Sequence, residues 1–304
     1  MDRWTAAQIP DQSGRGFVVT GANSGLGFET ARQLAAHGAR VVLAGRSEAK
    51  VSAAIEQIRA ESPGALVEFR MLDLADLDSV RAFAEALERD EVALDVLVNN
   101  AGVMFPPRVL TRQGFESQFA TNHLGHFALT GLLFDTIRQG RDARVVTVSS
   151  LEHRGGSIHF DDLTGERSYS PRVFYRQSKF ANVLFGLELD RRVRAAGIPV
   201  RSLLAHPGWS ATNLQTSAPT GVMKQMMRLG NRLLAQSAEI GALSQLYAVV
   251  APGAESGSFY GPDGLGELRG HPTRVRPAPS ATDEEAARRL WEVSEELTGV
   301  TFRL

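Results

Sequence analysis

In FYRQSKFANVLF, residues 174 to 185, a tyrosine is followed four positions later by a lysine. The pair stands out because the 33 basic residues include only Lys50, Lys179 and Lys224 as lysines, and the chain has four tyrosines. On a helix, positions 175 and 179 share a face, which would bring the Lys179 ammonium beside the Tyr175 phenol. A phenol with its ordinary pKa of about 10 is a sluggish base near neutral pH, and a neighbouring cation favours its ionised form. The spacing therefore predicts a tyrosine tuned for proton transfer to or from an alcohol oxygen. Tyr169 has Val173 four residues later and cannot substitute for it.

A second cluster lies near the start. VVTGANSGLGFETARQL reads as strand, glycine-rich turn and helix, with Gly21, Gly25 and Gly27 in a G-x3-G-x-G spacing. A turn without side chains lets backbone N–H groups and a helix N-terminus approach a pyrophosphate. At the end of the next strand, VVLAGRSE places Gly45 and Arg46 where a site for NAD would carry an acid. An arginine there pairs with a 2′-phosphate that a carboxylate would repel, so NADP(H) is the expected cofactor. A solvated surface arginine is the alternative in so arginine-rich a chain.

These residues need a scaffold. Apolar runs at 16–20, 39–44, 65–72, 95–99, 144–149, 200–205 and 258–260 alternate with amphipathic stretches near 25–37, 47–61, 76–89, 115–139, 172–196, 237–251 and 283–298. That alternation predicts an α/β fold, a single Rossmann-type, doubly wound parallel sheet of about seven strands with helices on both faces. With 304 residues and no linker, repeat or low-complexity tract, we expect one domain over 1–304. Two excursions, 151–171 and 208–236, break the rhythm and are expected to shape a substrate pocket. The second carries Met223, Met226 and Met227, readable either as core or as an adaptable lid.

Composition narrows the class. A net charge of −1 supplies no basic field for nucleic acid or an anionic membrane, and the absence of cysteine excludes disulfides and thiolate chemistry. The opening residues hold no apolar segment, and no apolar stretch of about eighteen residues follows, so a cytoplasmic chain with no transmembrane anchor is expected. A small molecule is the expected partner.

Together, TGANSGLG (20–27), DL (73–74), NNAG (99–102), TNHLGHF with Asn122, VVTVSS ending at Ser150, YRQSK (175–179) and HPGWSAT (206–212) resemble the short-chain dehydrogenase/reductase family. TNHLGHFALT, the widened gap between Ser150 and Tyr175, and SKFANVLF are similar to its retinol-dehydrogenase-like branch. The resemblance implies a catalytic set of Asn122, Ser150, Tyr175 and Lys179, with Ser149 as the strand-end alternative to Ser150. It implies cofactor contacts from Gly21, Asn23, Ser24, Gly25, Leu26 and Gly27 in the turn, then Arg46, Asp73 and Leu74. Further contacts would come from Asn99, Ala101 and Gly102, from Tyr175 and Lys179 at the nicotinamide ribose, and from Pro207, Gly208 and Thr212 at the nicotinamide end. Asn122 would anchor a water leading to Lys179, and a buried Asn satisfying backbone groups is a compatible reading.

The expected function is an NADP(H)-dependent oxidoreductase interconverting an alcohol and an aldehyde or ketone, on a lipophilic substrate. Tyr175 would be the general acid/base and Ser150 the oxyanion donor. A cofactor-sensing regulator without turnover and a double-bond reductase on the same fold are the alternatives. His123 and His126 flank Asn122 without an accompanying zinc motif, and we read them as packed imidazoles rather than metal ligands. The two long helices near 115–139 and 172–196 resemble the family's dimer-forming pair, so a homodimer is the expected assembly.

Overall fold

The computed structural model describes residues 3–210 and 236–304. Eight strands form one sheet: β1 (Gly16–Thr20), β2 (Arg40–Gly45), β3 (Leu66–Met71), β4 (Val96–Asn99), β5 (Arg144–Val148), β6 (Arg201–Ala205), β7 (Phe259–Pro262) and β8 (Pro272–Val275). Their order across the sheet is β3-β2-β1-β4-β5-β6-β7-β8. The pairs from β3 to β7 are parallel, and β8 closes the edge antiparallel to β7.

The strands are apolar on both faces because both faces are covered. In β1, Phe17 and Val19 point into one core while Val18 points into the other, and all are buried. The helices α1 (Gly25–Ala36), α2 (Glu48–Glu61) and α6 (Ala238–Val250) contribute to the first core. The second is filled from α3 (Leu77–Arg89), α4 (Gly125–Ile137), α5 (Pro171–Ala195) and α7 (Glu284–Thr298). Local signals set the helix ends. Asp76 caps α3 by accepting from Asp78 N, and α7 starts on Asp283, which accepts from Glu285 N and Ala286 N, and stops at Gly299 with φ of 62°. Trp291 of α7 docks edge-on against Phe127 at 5.1 Å and in a tilted contact against Phe302 at 4.5 Å, which ties the C-terminal segment to α4.

The expected seven strands are present, each shifted by no more than a residue or two. The eighth, β8, escaped sequence reading because PTRV begins with proline, alternates no apolar residues and lies half-exposed at an edge. The helical stretch near 115–139 is three pieces: a turn at Ser117–Phe119, a π-helix at Ala120–Leu124 and α4. Of the excursion at 208–236, residues 211–235 lie outside the described residues, so the core-or-lid question for the methionines lies there too. No helix among the described residues is long and apolar enough to cross a membrane.

Candidate active site

The connectivity reverses between β1 and β4, each of which has neighbours built from opposite directions along the chain. In open α/β sheets, such a switch point leaves a crevice beyond the carboxyl ends of the strands. Two cavities occupy it here, and they share Leu26, Asn100 and Gly102 in their walls.

The first cavity is built by short side chains and backbone. Gly21 and residues 23 to 27 line it from the β1 turn, Arg46 from the end of β2, Asp73 and Leu74 beyond β3, and Ala101 and Gly102 beyond β4. Gly27 is required here: a Cβ would stand 2.5 Å from Asn100 Nδ2 and 2.6 Å from Gly21 O. Gly21 and Gly25 have φ of 66° and 58°, which closes the turn so that the α1 N-terminus opens onto the cavity. Asn100 Nδ2 donates to Thr20 O at 2.7 Å, and Asn100 N and Ala101 N both donate to Thr20 Oγ1 at 2.9 Å, which stitches the β4 turn to β1. Since Thr20 Oγ1 accepts twice, its own proton can go to His126 Nε2 at 2.9 Å, while His126 Nδ1 donates to Asn122 O at 3.0 Å. Burial lowers the His126 pKa to about 4, so the ring serves as a neutral strut.

Asn99 departs from expectation. It is fully buried, donates from Nδ2 to Thr130 Oγ1 at 2.9 Å, and lines neither cavity. Strand alternation is the reason: consecutive asparagines at a strand end point to opposite sides, so Asn100 takes the cavity and Asn99 the core.

The second cavity is built by side chains from β5, its 151–155 turn and α5. Ser150, Tyr175 and Lys179 line it together with Pro207 and Gly208 beyond β6. Ser149 and Ser150 both border the cavity but are engaged differently. Ser149 is 2% exposed and donates to Lys179 O at 2.8 Å, whereas Ser150 is half-buried and caps the following turn by accepting from Glu152 N at 3.3 Å. Behind Ser150, His153 Nδ1 donates to its carbonyl at 2.6 Å, and His153 Nε2 accepts from Ala278 N at 3.1 Å. Sequence reading assigned the serine and marked His153 as a possible pocket residue, but not these hydrogen bonds. Beyond β6, Gly208 adopts φ of 64° and passes so close to Leu268 O that a Cβ would lie 2.5 Å from it. Thr212 lies outside the described residues.

Burial works against one expectation. Burial pushes the Tyr175 phenol up to about 12, opposed by Ser150, and Glu152 adds to the rise. Lys179 Nζ sits over the phenol ring, 6.0 Å from its centroid, and donates to Val148 O at 3.1 Å. Burial lowers its own pKa to about 8. Desolvation is the largest influence on both groups, and it opposes the lowering of the phenol inferred from their four-residue spacing. Among the described residues, Val148 O is the acceptor for an ammonium with three N–H donors, and no carboxylate pairs with it.

Asn122 is also more occupied than expected. Its Oδ1 accepts from Val103 N at 2.8 Å, and its Nδ2 donates to Val103 O at 3.0 Å and to Ser178 Oγ at 2.9 Å. The side chain thus clamps the loop after β4 to α5, as the compatible reading allowed. His123 turns the other way, with Nε2 2.9 Å from Ser294 Oγ.

The donor set suits a nicotinamide dinucleotide: a side-chain-free turn at a helix N-terminus, an arginine at the end of β2, a buried ammonium with donors to spare, and a phenol beside it. The short chain dehydrogenase family model matches residues 16–222. The chain is 42% identical to retinol dehydrogenase 13 of Homo sapiens over 300 residues, covering 97% of this chain and 86% of that protein. It is 43% identical to polyprenol dehydrogenase of Mus musculus over 296 residues, covering 96% and 86%. A crystal structure of an uncharacterized protein from Mycobacterium paratuberculosis superposes with a TM-score of 0.82 at 45% identity, covering 99% of this chain and 100% of the other. A match of this extent, running through the glycine turn and the Tyr175–Lys179 helix alike, makes the chain a member of the short chain dehydrogenase family.

Proposed function

We propose that the protein is an NADP(H)-dependent oxidoreductase that interconverts a lipophilic alcohol and its aldehyde or ketone. The continuity of the two cavities through Leu26, Asn100 and Gly102 carries this reading, because it joins a phosphate-binding turn to a proton donor. A bound nicotinamide dinucleotide would supply or accept the hydride.

The chain's own residues do the rest. Tyr175, with its pKa raised, keeps its proton near neutral pH and can give it to a carbonyl oxygen that is becoming an alkoxide. Reduction is the direction this protonation state serves, and alcohol oxidation runs through the same proton in reverse. Ser150 would donate a hydrogen bond to that oxygen, in a cavity whose wall includes the apolar side chains of Met104, Phe105 and Leu151. Lys179 offers its remaining N–H donors to ribose hydroxyls, and Asn122 holds the loop that faces it. Arg46 is exposed at the cavity edge, and no carboxylate pairs with it among the described residues, which supports pairing with a 2′-phosphate. The apolar residues of the second cavity, and the retinol and polyprenol in the relatives' names, support a lipophilic substrate.

NADPH consumption with a panel of lipophilic aldehydes and ketones tests the reading. Wild-type turnover with loss of about 10²- to 10⁴-fold in Tyr175→Phe, at retained NADPH affinity, is expected. Equal binding in both proteins without turnover in either would replace the enzyme with a cofactor sensor.

A further inference from the structure

Phe105 lies beyond β4, in a stretch no motif marks, and adopts φ of 59°. A bulky side chain takes the left-handed backbone region only where its surroundings over-determine it, and the proline that follows restricts the residue further. The surroundings are specific. Phe105 N donates to Gln118 Oε1 at 3.0 Å, and Gln118, fully buried, donates from Nε2 to Tyr169 OH and to Pro171 O, both at 3.0 Å. Tyr169 OH donates in turn to Pro106 O at 2.9 Å, the carbonyl next to Phe105. The Tyr169 ring packs on Phe174 at 4.8 Å, the residue before Tyr175. The chain of contacts ends with the Phe105 ring edge-on to the Tyr175 ring, centroids 5.2 Å apart, in the wall of the second cavity.

We propose that Phe105 is a specificity-determining residue: its ring, held beside the Tyr175 phenol by the Gln118–Tyr169 clamp, limits the bulk allowed next to the reacting carbonyl. The enzyme thus selects carbonyl compounds unbranched at the carbons flanking the reacting centre. The excursion at 151–171 acts on selectivity through Tyr169, which lines neither cavity. This inference rests on the oxidoreductase reading above. It needs no cation and no titration, only a rigid aromatic wall whose backbone conformation is imposed from the far side.

The experiment compares a straight-chain methyl ketone with its isomer branched at both α-carbons. Each is followed as kcat/KM with NADPH and as Kd for the NADPH-loaded protein. Wild type should favour the straight isomer, and Phe105→Ala should move the preference toward the branched one by about tenfold or more. Phe105→Leu, which keeps an apolar side chain, should move it less, and NADPH affinity should stay within about twofold in both. Gln118→Met removes the hydrogen bonds at similar volume and should shift the preference in the same direction; combined with Phe105→Ala it should add nothing, because both act through one wall. An unchanged preference in both Phe105 variants overturns the proposal, as does full additivity of the double variant. Lack of turnover in wild type would sink the oxidoreductase reading instead, and the Kd preference would still decide the role of Phe105.

Discussion

The two halves of the cleft are made differently. The nucleotide half, beyond β1 to β4, is defined by backbone: Gly21, Gly25, Gly27 and Gly102, with Asn100 and Thr20 bracing the turns from within. The substrate half, beyond β4 to β6, is defined by side chains that reach it from distant segments, with Ser150, Tyr175 and Lys179 set among apolar walls. A backbone-built site recognises what every dinucleotide shares, whereas a side-chain-built one can be retuned without disturbing the sheet. Chemistry and selectivity thus reside in the half that the sheet constrains least.

Substitutions can break this division. Next to Tyr175→Phe, the largest effect is expected from Ser150→Ala: loss of an oxyanion donor should lower kcat by about 10²- to 10³-fold while NADPH binding, measured by fluorescence titration, stays intact. If kcat is unchanged, the hydroxyl facing the cavity has no part in the chemistry. Arg46→Ala should weaken NADPH by about ten- to a hundredfold, the worth of charge-assisted hydrogen bonds, and leave NADH nearly unaffected. Equal losses for both dinucleotides would remove the 2′-phosphate assignment.

Acidity sharpens the contrast further. Lys179 has its pKa lowered to about 8, so it loses charge as pH rises through that value. In the wild type, kcat/KM for NADPH should therefore fall above pH 8, approaching about tenfold per unit, since this parameter reports groups of the free enzyme. Lys179→Met should bind NADPH more weakly and lack that limb. A wild-type profile flat to pH 10 would show that the ammonium does not serve cofactor binding. The smallest effect belongs to Ser149→Ala, which removes the bond to Lys179 O. It should cost about 0.5–1.5 kcal/mol of stability in urea denaturation and leave kcat within a fewfold, in contrast with its neighbour.

The same division explains what the sequence disclosed. Glycine spacing, a strand-end arginine and an i,i+4 pair are local constraints, and the positions they named, Gly21, Gly25, Gly27, Arg46, Tyr175 and Lys179, do line the cleft. Asn99 was misjudged because a dipeptide of identical residues conceals which one faces the cavity. Spacing conveys proximity but not burial, and burial is the largest influence on the proton affinity of both Tyr175 and Lys179. The clamp from Phe105 through Gln118 to Tyr169 joins residues 13 and 51 positions apart and leaves no local trace.

The π-helix at Ala120–Leu124 gives the helix one residue of slack in length. A π-turn accommodates one residue more than an α-turn, and each residue of an α-helix advances by about 100° around the axis. Deleting that extra residue would let the segment relax into an uninterrupted α-helix with Ser117–Phe119 and α4 keeping nearly the same relative orientation. The side chains that move are those inside the turn, Asn122 among them, which holds Val103 N and Val103 O of the loop after β4. A one-residue deletion in this segment should accordingly leave the fold intact and loosen that loop.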